Sequence, residues 1–342
     1  MDYVPLESSL RSSMTRRLKR RSTAKGEIAL PAVPGMLDEY VEMCNNTFLA
    51  LGVEFSPDEL AGLRGVLKGQ LNAAYQTSPR SEIVIRYESP YGLSVNYHVS
   101  GQWFTLQGAY DNWVATREPP LFGTHPDARV WALAAESGEA SDCPVLDIGA
   151  GTGRNSLALA RRGHPVDAVE ITEKFAQIIG EEAARDGLAV RVLRRDVFDT
   201  FDDLRRDYRL ILLSEVVSDF RSTEQLRKVF ELAALCLAPG GQLVFNVFLP
   251  RGGYTPDDAA RQLGQQCYTT IFTHSELAEA ASMLPLHQVA DDSVHDYEHA
   301  HLPADAWPPT SWYVGWVSGQ DVFDVPRAES PIEMRWLVYR KH

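Results

Sequence analysis

Apolar residues recur at helical spacing from Met36 to Leu51 and again from Pro57 to Tyr75. The second run opens with Ser56-Pro57, a side-chain cap followed by a residue suited to the first helical turn. Two helices are predicted there. The period then shortens: Glu82 to Glu88 and Leu93 to Val99 are β-rich and joined by Ser89-Pro90-Tyr91-Gly92, which reads as a hairpin. Residues 101–126 hold no sustained period; Trp103, Phe104, Tyr110, Trp113 and Phe122 alternate with polar groups, and the stretch reads as a linker or lid. From 127 to 250, helix, strand and helix patterns follow one another, the signature of βαβ units and a parallel sheet. One helix over about 255–283 and strands over about 287–294 and 332–339 are expected to complete that unit.

The pattern divides the chain into a flexible basic arm (1–30), an N-terminal helical and hairpin cap with its lid (31–126) and a ligand-binding α/β domain (127–342). The arm carries Arg16-Arg17-Leu18-Lys19-Arg20-Arg21. It reads as a solvated tail, with contact to an anion or a nucleic acid as the functional alternative. At 342 residues with 44% hydrophobic content, the chain can fill a sizeable core. A formal net charge of −13 repels phosphates over most of the surface, which disfavours nucleic acid and favours a small-molecule partner. Cys44, Cys143, Cys236 and Cys267 form no C-x-x-C pair, so a reducing, cytoplasmic setting is expected. No run of about 18 apolar residues and no stretch of signal-peptide type is present, so no membrane association is expected.

The chemistry concentrates where an apolar strand, Pro144-Val145-Leu146-Asp147-Ile148, runs into Gly149-Ala150-Gly151-Thr152-Gly153, after which Asn155 to Arg162 has a helical pattern. Glycines let the backbone approach a ligand, and the following helix start offers N–H groups to its polar end. A dinucleotide fingerprint needs a third glycine where Arg154 stands, which counts against an NAD-linked oxidoreductase. Asp147, just before the glycines, suits an amino group better than a pyrophosphate. A second strand, His164 to Val169, ends in Glu170, whose carboxylate can accept both hydroxyls of a ribose. A third leads to Asp196-Val197, an acid beside a backbone N–H that could read the amino edge of adenine, and a fourth to Ser214-Glu215. Four strand ends thus present polar groups to one crevice.

Residues 144–250 resemble the core of class I S-adenosylmethionine-dependent methyltransferases. Asp147 to Gly153 resembles the first motif, Glu170 the second, Asp196 the third, and Leu237-Ala238-Pro239-Gly240-Gly241 the turn before the fifth strand. Gly151-Thr152-Gly153-Arg154-Asn155-Ser156-Leu157 with Arg162-Gly163-His164-Pro165-Val166 is similar to tellurite-resistance and thiopurine-type small-molecule enzymes. The resemblance implies an α/β fold: a mostly parallel sheet flanked by helices, its last strand antiparallel, with the N-terminal α+β cap as an addition. It implies S-adenosyl-L-methionine as cofactor and S-adenosyl-L-homocysteine as product, bound by Asp147, Gly149, Ala150, Gly151, Gly153, Asn155, Glu170, Ile171, Asp196, Val197 and Ser214.

The expected activity is methyl transfer to an O, N, S or C nucleophile of a small molecule, of the kind found in secondary metabolism, by in-line displacement in a crevice covered by the cap. Glu215 is the candidate for taking an acceptor proton, with His98 and Tyr97 of the hairpin as further catalytic candidates. Trp103, Tyr110, Trp113, Asn246 and Trp312 are the candidate substrate contacts. His295, His299 and His301 match no metal signature, so no metal is expected; they read as an acidic, His-bearing loop. Trp307 to Trp316 reads as a rigid aromatic loop. The alternatives are an RNA or protein methyltransferase that uses the basic arm, an NAD-linked oxidoreductase, and a protein that binds the cofactor without turnover. The N-terminal helices offer a homodimer face as readily as a lid.

Overall fold

The computed structural model describes residues 6–21, 23–90, 94–103, 108, 116 and 121–342. The chain forms two compact units, Met1–Ala109 and Tyr110–His342, each with a core of its own.

In the first unit, helix α1 (Leu6–Arg21), strand β1 (Ala24–Pro31), helices α2 (Leu37–Ala50) and α3 (Pro57–Thr77), and strands β2 (Glu82–Ser89) and β3 (Asn96–Gln102) follow in order. A capping box starts α3: Ser56 Oγ accepts from the Glu59 N–H, and the Glu59 carboxylate accepts from the Ser56 N–H at 2.8 Å. Leu63, Leu67, Leu71 and Ala74 then lie on one face and pack with Tyr40, Cys44 and Phe48 of α2 and with Ile83 and Ile85 of β2. The two helices and the hairpin follow the sequence pattern. Residues 24–30 depart from it: the sequence reads as the end of a flexible arm, whereas the ladder from Ala24↔Ser89 to Pro31↔Glu82 makes it the outer strand of an antiparallel sheet ordered β1-β2-β3. Its alternation has period two, with Ile28 and Leu30 turned to the core.

The second unit runs α4 (Ala128–Glu136), β4 (Val145–Ile148), α5 (Arg154–Arg161), β5 (Val166–Val169), α6 (Glu173–Asp186), β6 (Val190–Leu193), β7 (Tyr208–Leu213), α7 (Thr223–Cys236), β8 (Leu237–Pro250), α8 (Asp258–Gln266), α9 (His274–Ala281), β9 (Leu286–Ser293), α10 (Val294–His301), α11 (Tyr313–Val317), α12 (Gln320–Phe323) and β10 (Ile332–Lys341). Its seven strands are ordered β6-β5-β4-β7-β8-β10-β9, parallel except for β10, which is antiparallel to both neighbours. Both faces are covered, so the central strands are largely apolar, with few polar positions such as Asp147 and Asn246, while alternate residues serve opposite cores. In β8, Leu243, Phe245, Val247 and Leu249 enter one cluster, and Val244 and Phe248 the other. Among the described residues no helix is long and apolar enough to cross a membrane.

Three local expectations change. The helix expected over 255–283 is two, because the chain folds back so tightly that a Cβ on Gly264 would strike the Thr269 carbonyl. Ile271 then bridges to Phe248, and a second capping box, Thr273 with Glu276, opens α9. The turn Ala238–Gly241 does not precede the fifth strand of this sheet but bulges within it: Tyr208 pairs with Leu237 and Leu210 with Gln242, leaving the residues between outside the ladder. His295, His299 and His301 sit on helix α10 rather than in a loop, and the aromatic segment ends in helix α11 from Tyr313 onward.

Candidate functional site

Strands β4, β5, β6 and β7 end level with one another, with Ile148 paired to Val169, Val169 to Leu193, and Asp147 to Leu212. The residues after them therefore open on one edge of the sheet. Gly149, Gly151 and Gly153 all lie in the left-handed region, at φ of 69°, 56° and 89°. A Cβ on Gly149 would run into the Val216 side chain just past β7, and one on Gly153 into Leu157 and Ile179. Gly151 instead meets only the edge of the Phe122 ring, at 3.5 Å, and is the least crowded of the three. The amides of Gly149 and Ala150 donate to the Val169 carbonyl, that of Gly153 to Ala150, and that of Gly151 to Glu170. The turn thus contributes shape more than free donors, which remain in the first turn of α5.

Two buried acids frame this turn. Glu170 accepts from Gly151 N at 2.8 Å and Thr172 N at 2.7 Å, and the Thr172 side chain and the Ile171 N–H also support its carboxylate. Burial raises its pKa against these hydrogen bonds. Asp147 is 2% exposed and accepts from Ser156 Oγ at 2.6 Å. Burial, only partly opposed by Ser156, pushes its pKa up to about 7. Between Glu170 and Thr172, both buried, Ile171 projects with 46% of its surface exposed, an apolar wall beside the acid. Val197 is buried, while Asp196 is exposed and caps a short turn by accepting from Phe198 N at 2.9 Å.

The other half of the edge is built on Arg154, the first residue of α5. Its guanidinium is 8% exposed and joins Asp127, the residue before α4, to Glu215 just beyond β7, the latter at 3.1 Å. Burial opposes this charge, but Asp127 and Glu215 outweigh it and raise the pKa further. Asp127 also accepts from Asn155 Nδ2 at 2.8 Å and Ser214 Oγ at 2.6 Å, and its own N–H donates to Asn155 Oδ1. Glu215 is held at φ 62°, a strained setting for a side-chain-bearing residue. Its N–H donates to Asn246 Oδ1 at 2.7 Å, its carbonyl accepts from Ser218 Oγ, and burial pushes its carboxyl up to about 7 despite Arg154. Behind it, Glu298 of α10 is fully buried and accepts from Ala128 N, Arg129 N and Trp336 Nε1. Burial raises its pKa as well. The buried hydroxyl of Tyr313 is raised by burial and then by Glu298, Asp127 and Glu215, so α11 borders the same cluster.

Of the candidates read from the sequence, Asp147, Gly149, Ala150, Gly151, Gly153, Asn155, Glu170, Ile171, Asp196, Val197, Ser214, Glu215 and Asn246 all lie along this edge, on the turns or in the strands described. Trp312 belongs to an aromatic group with Tyr313 and Trp316, and Tyr313 links that group to the cluster. Tyr97, His98 and Trp103 belong to the first unit. There the Tyr97 ring packs on Phe48 and Phe55, His98 is exposed opposite Arg86, and Trp103 lies over Gly101. Tyr110 and Trp113 lie outside the described residues. His295 and His299 both face the Trp307 ring, and among the described residues no three His, Cys, Asp or Glu side chains are disposed to hold a metal ion. Sequence reasoning missed Asp127, Arg154 and Glu298 as a set. The one local signal was Pro126-Asp127 ahead of a helical pattern.

Residues 145–241 match the family model described as a methyltransferase domain. No curated protein matches the sequence of the whole chain. The structure is similar to that of geranyl diphosphate C-methyltransferase from Streptomyces coelicolor A3(2), solved with Mg2+, geranyl-S-thiolodiphosphate and S-adenosyl-L-homocysteine. That likeness has 17% identity and a TM-score of 0.50, and covers 63% of this chain and 76% of that one. A protein described as a sarcosine dimethylglycine methyltransferase from Galdieria sulphuraria is similar at 15% identity and TM-score 0.50, over 69% of this chain and 97% of that one. These likenesses show the fold: the seven-stranded sheet and its flanking helices have the class I methyltransferase arrangement, with an N-terminal α+β unit in addition.

Proposed function

We propose that the chain is an S-adenosylmethionine-dependent methyltransferase acting on a small-molecule nucleophile. One observation carries the reading: the left-handed glycine turn, least crowded at Gly151, is flanked by two buried carboxylates, Asp147 and Glu170. That donor set fits a cationic nucleoside. Glu170 is the carboxylate for the ribose hydroxyls, Asp147 stands under the turn for the ammonium, and Ile171 with Phe122 supplies apolar surface for a base, whose amino edge meets Asp196 and the Val197 N–H. Ser214 completes the set on the β7 side. When bound, the cofactor supplies an electrophilic methyl group. The chain's part is then to hold the acceptor in line with it, an effect worth about 7–11 kcal/mol of barrier when alignment is complete. Glu215 and Asn246 stand on the acceptor side, next to the turn through Val216. The net charge of −13 favours a small acceptor over a polyanion. Four free cysteines support a cytoplasmic setting.

The reading predicts binding heat with both S-adenosylmethionine and S-adenosylhomocysteine by titration calorimetry. Gly151→Leu, which needs a side chain at φ 56° and fills the least crowded point of the turn, is expected to lower both affinities about tenfold or more. No heat with either compound would sink it. A second reading, RNA or protein methylation through the N-terminus, draws on α1, where Arg11, Arg16, Arg17, Lys19 and Arg21 are all exposed.

A further inference from the structure

The polar groups around Arg154 can be accounted for atom by atom. Asp127 uses one oxygen on Arg154 and the other on Asn155 and Ser214. Glu298 uses Oε2 on Ala128 N and Oε1 on Arg129 N and Trp336 Nε1. Both are spent on holding the fold. Glu215 differs: Oε1 accepts from Arg154 at 3.1 Å, and Oε2 has no hydrogen-bond partner among the described residues. Its side chain is 13% exposed, so this oxygen sits in a mostly buried group yet stays open to an incoming donor.

The backbone is committed to presenting it. A residue with a side chain at φ 62° is held against its preference. Asn246 and Ser218 fix the peptide on either side, and Arg154 fixes the carboxylate rotamer. Val216, the next residue, is the one a Cβ on Gly149 would strike, so Glu215 is one residue away from the wall of the glycine turn. The groups facing Glu215 are Arg154 of α5, Asp127 ahead of α4 and Tyr313 of α11. With Glu298 included, the cluster sets three carboxyl groups against one guanidinium, and such a field favours a ligand bearing positive charge or N–H donors.

We infer that the acceptor is an amine and that Glu215 engages its nitrogen through Oε2. This rests on the methyltransferase reading and names the substrate class for it. The nitrogen lone pair forms the new N–C bond as the S–CH3 bond breaks and sulfur keeps that pair. The nitrogen then carries one proton more than the neutral product amine, and Oε2 accepts it before passing it to solvent. A carboxylate is suited to this because an amine, unlike a thiolate or phenolate, arrives with N–H groups to donate.

The test is calorimetry on the full chain saturated with S-adenosylhomocysteine, at pH 7.5, using methylamine, spermidine and 2-phenylethylamine as probes. The isosteres 2-phenylethanol, 2-phenylethanethiol and phenylacetate serve as controls. At least one amine is expected to bind about tenfold or more tightly than any control, and Glu215→Gln to remove that margin while S-adenosylhomocysteine affinity stays within about twofold. Glu215→Gly guards against backbone strain as the cause, since glycine accepts φ 62°; it should unfold cooperatively on heating, bind S-adenosylhomocysteine and still lose amine binding. The inference is overturned if S-adenosylhomocysteine binds but no amine does, if a control binds as well as the amines, or if either variant keeps amine affinity. Failure of S-adenosylhomocysteine to bind would instead strike the methyltransferase reading on which this one rests.

Discussion

The sharpest residue-level consequence concerns Asp147. Its carboxyl is enclosed under the glycine turn, and burial holds its pKa at about 7 instead of the usual 3.8. In the unligated protein the folded form keeps a proton that the unfolded chain has already shed. Its contribution to stability therefore falls as pH rises from about 4 to 7, and is level above. An ammonium group placed beside it reverses the preference by favouring the carboxylate. Binding of S-adenosylmethionine is then coupled to proton release. Affinity should rise with pH toward 7, by at most about tenfold per unit, and flatten beyond it. Asp147→Asn should bind more weakly above pH 7 and show a shallower slope, which separates its titration from those of Glu215 and Glu298. A slope unchanged in that variant would remove Asp147 from the cofactor site. Asp147 and Glu170 were legible in the sequence because each ends an apolar strand next to its turn. Asp127, Arg154 and Glu298 were not, because their partnership spans 170 positions between Ala128 and Glu298 and exists only once β10 has been threaded between β8 and β9.

At the scale of elements, boundaries read well where local chemistry decides them and poorly where distant packing does. The Ser56 cap and the Leu63-Leu67-Leu71 stripe are local, and α3 follows them. The break between α8 and α9 depends on Thr269 folding back on Gly264 and Ile271 reaching Phe248, neither of which a helical period reveals. Helix α4 carries the same lesson. Asp127 stands at its N-cap position but makes no side-chain cap hydrogen bond. The cap comes from Glu298, whose two oxygens take the first two amides of the helix and also the Trp336 indole. A carboxylate at a helix start is favoured by the helix dipole, which partly offsets the cost of burying it. Glu298→Ala leaves three buried donors without an acceptor and is expected to cost about 3 kcal/mol or more in urea unfolding. Glu298→Gln, which keeps one carbonyl oxygen in place, should cost about 1 kcal/mol. A large loss in Glu298→Ala beside none in Glu298→Gln would show that Glu298 acts through packing alone.

On the scale of the whole molecule, the question is whether the basic N-terminus recognises a macromolecule or is dispensable for a small acceptor. Charge alone points to the second: the chain is at −13 overall, and counterion release from one exposed helix must work against repulsion from the rest. Removal of residues 1–30 is the wrong experiment, because Ala24 to Leu30 pair with β2 and their loss would strip a strand from the first unit's sheet. Ending the deletion at residue 22 removes α1 and leaves the ladder whole. Helix α1 exposes Leu10, Met14 and Leu18, and an isolated helix of its length is marginal in water, so the deletion should not lower the melting temperature. The shortened chain is expected to keep its affinity for S-adenosylhomocysteine and its methyl transfer to a small amine within about twofold, equivalent to about 0.4 kcal/mol. The full chain should show no salt-dependent binding to a short RNA duplex at 50 mM salt, where a protein neutralising several phosphates binds strongly. If the shortened chain kept the cofactor but lost transfer, and the full chain bound the duplex with a steep salt slope, α1 would be a recognition element and the acceptor a polyanion. That outcome would also contradict Glu215 as the group that meets the acceptor, since an unpaired carboxylate oxygen beside the glycine turn repels phosphate.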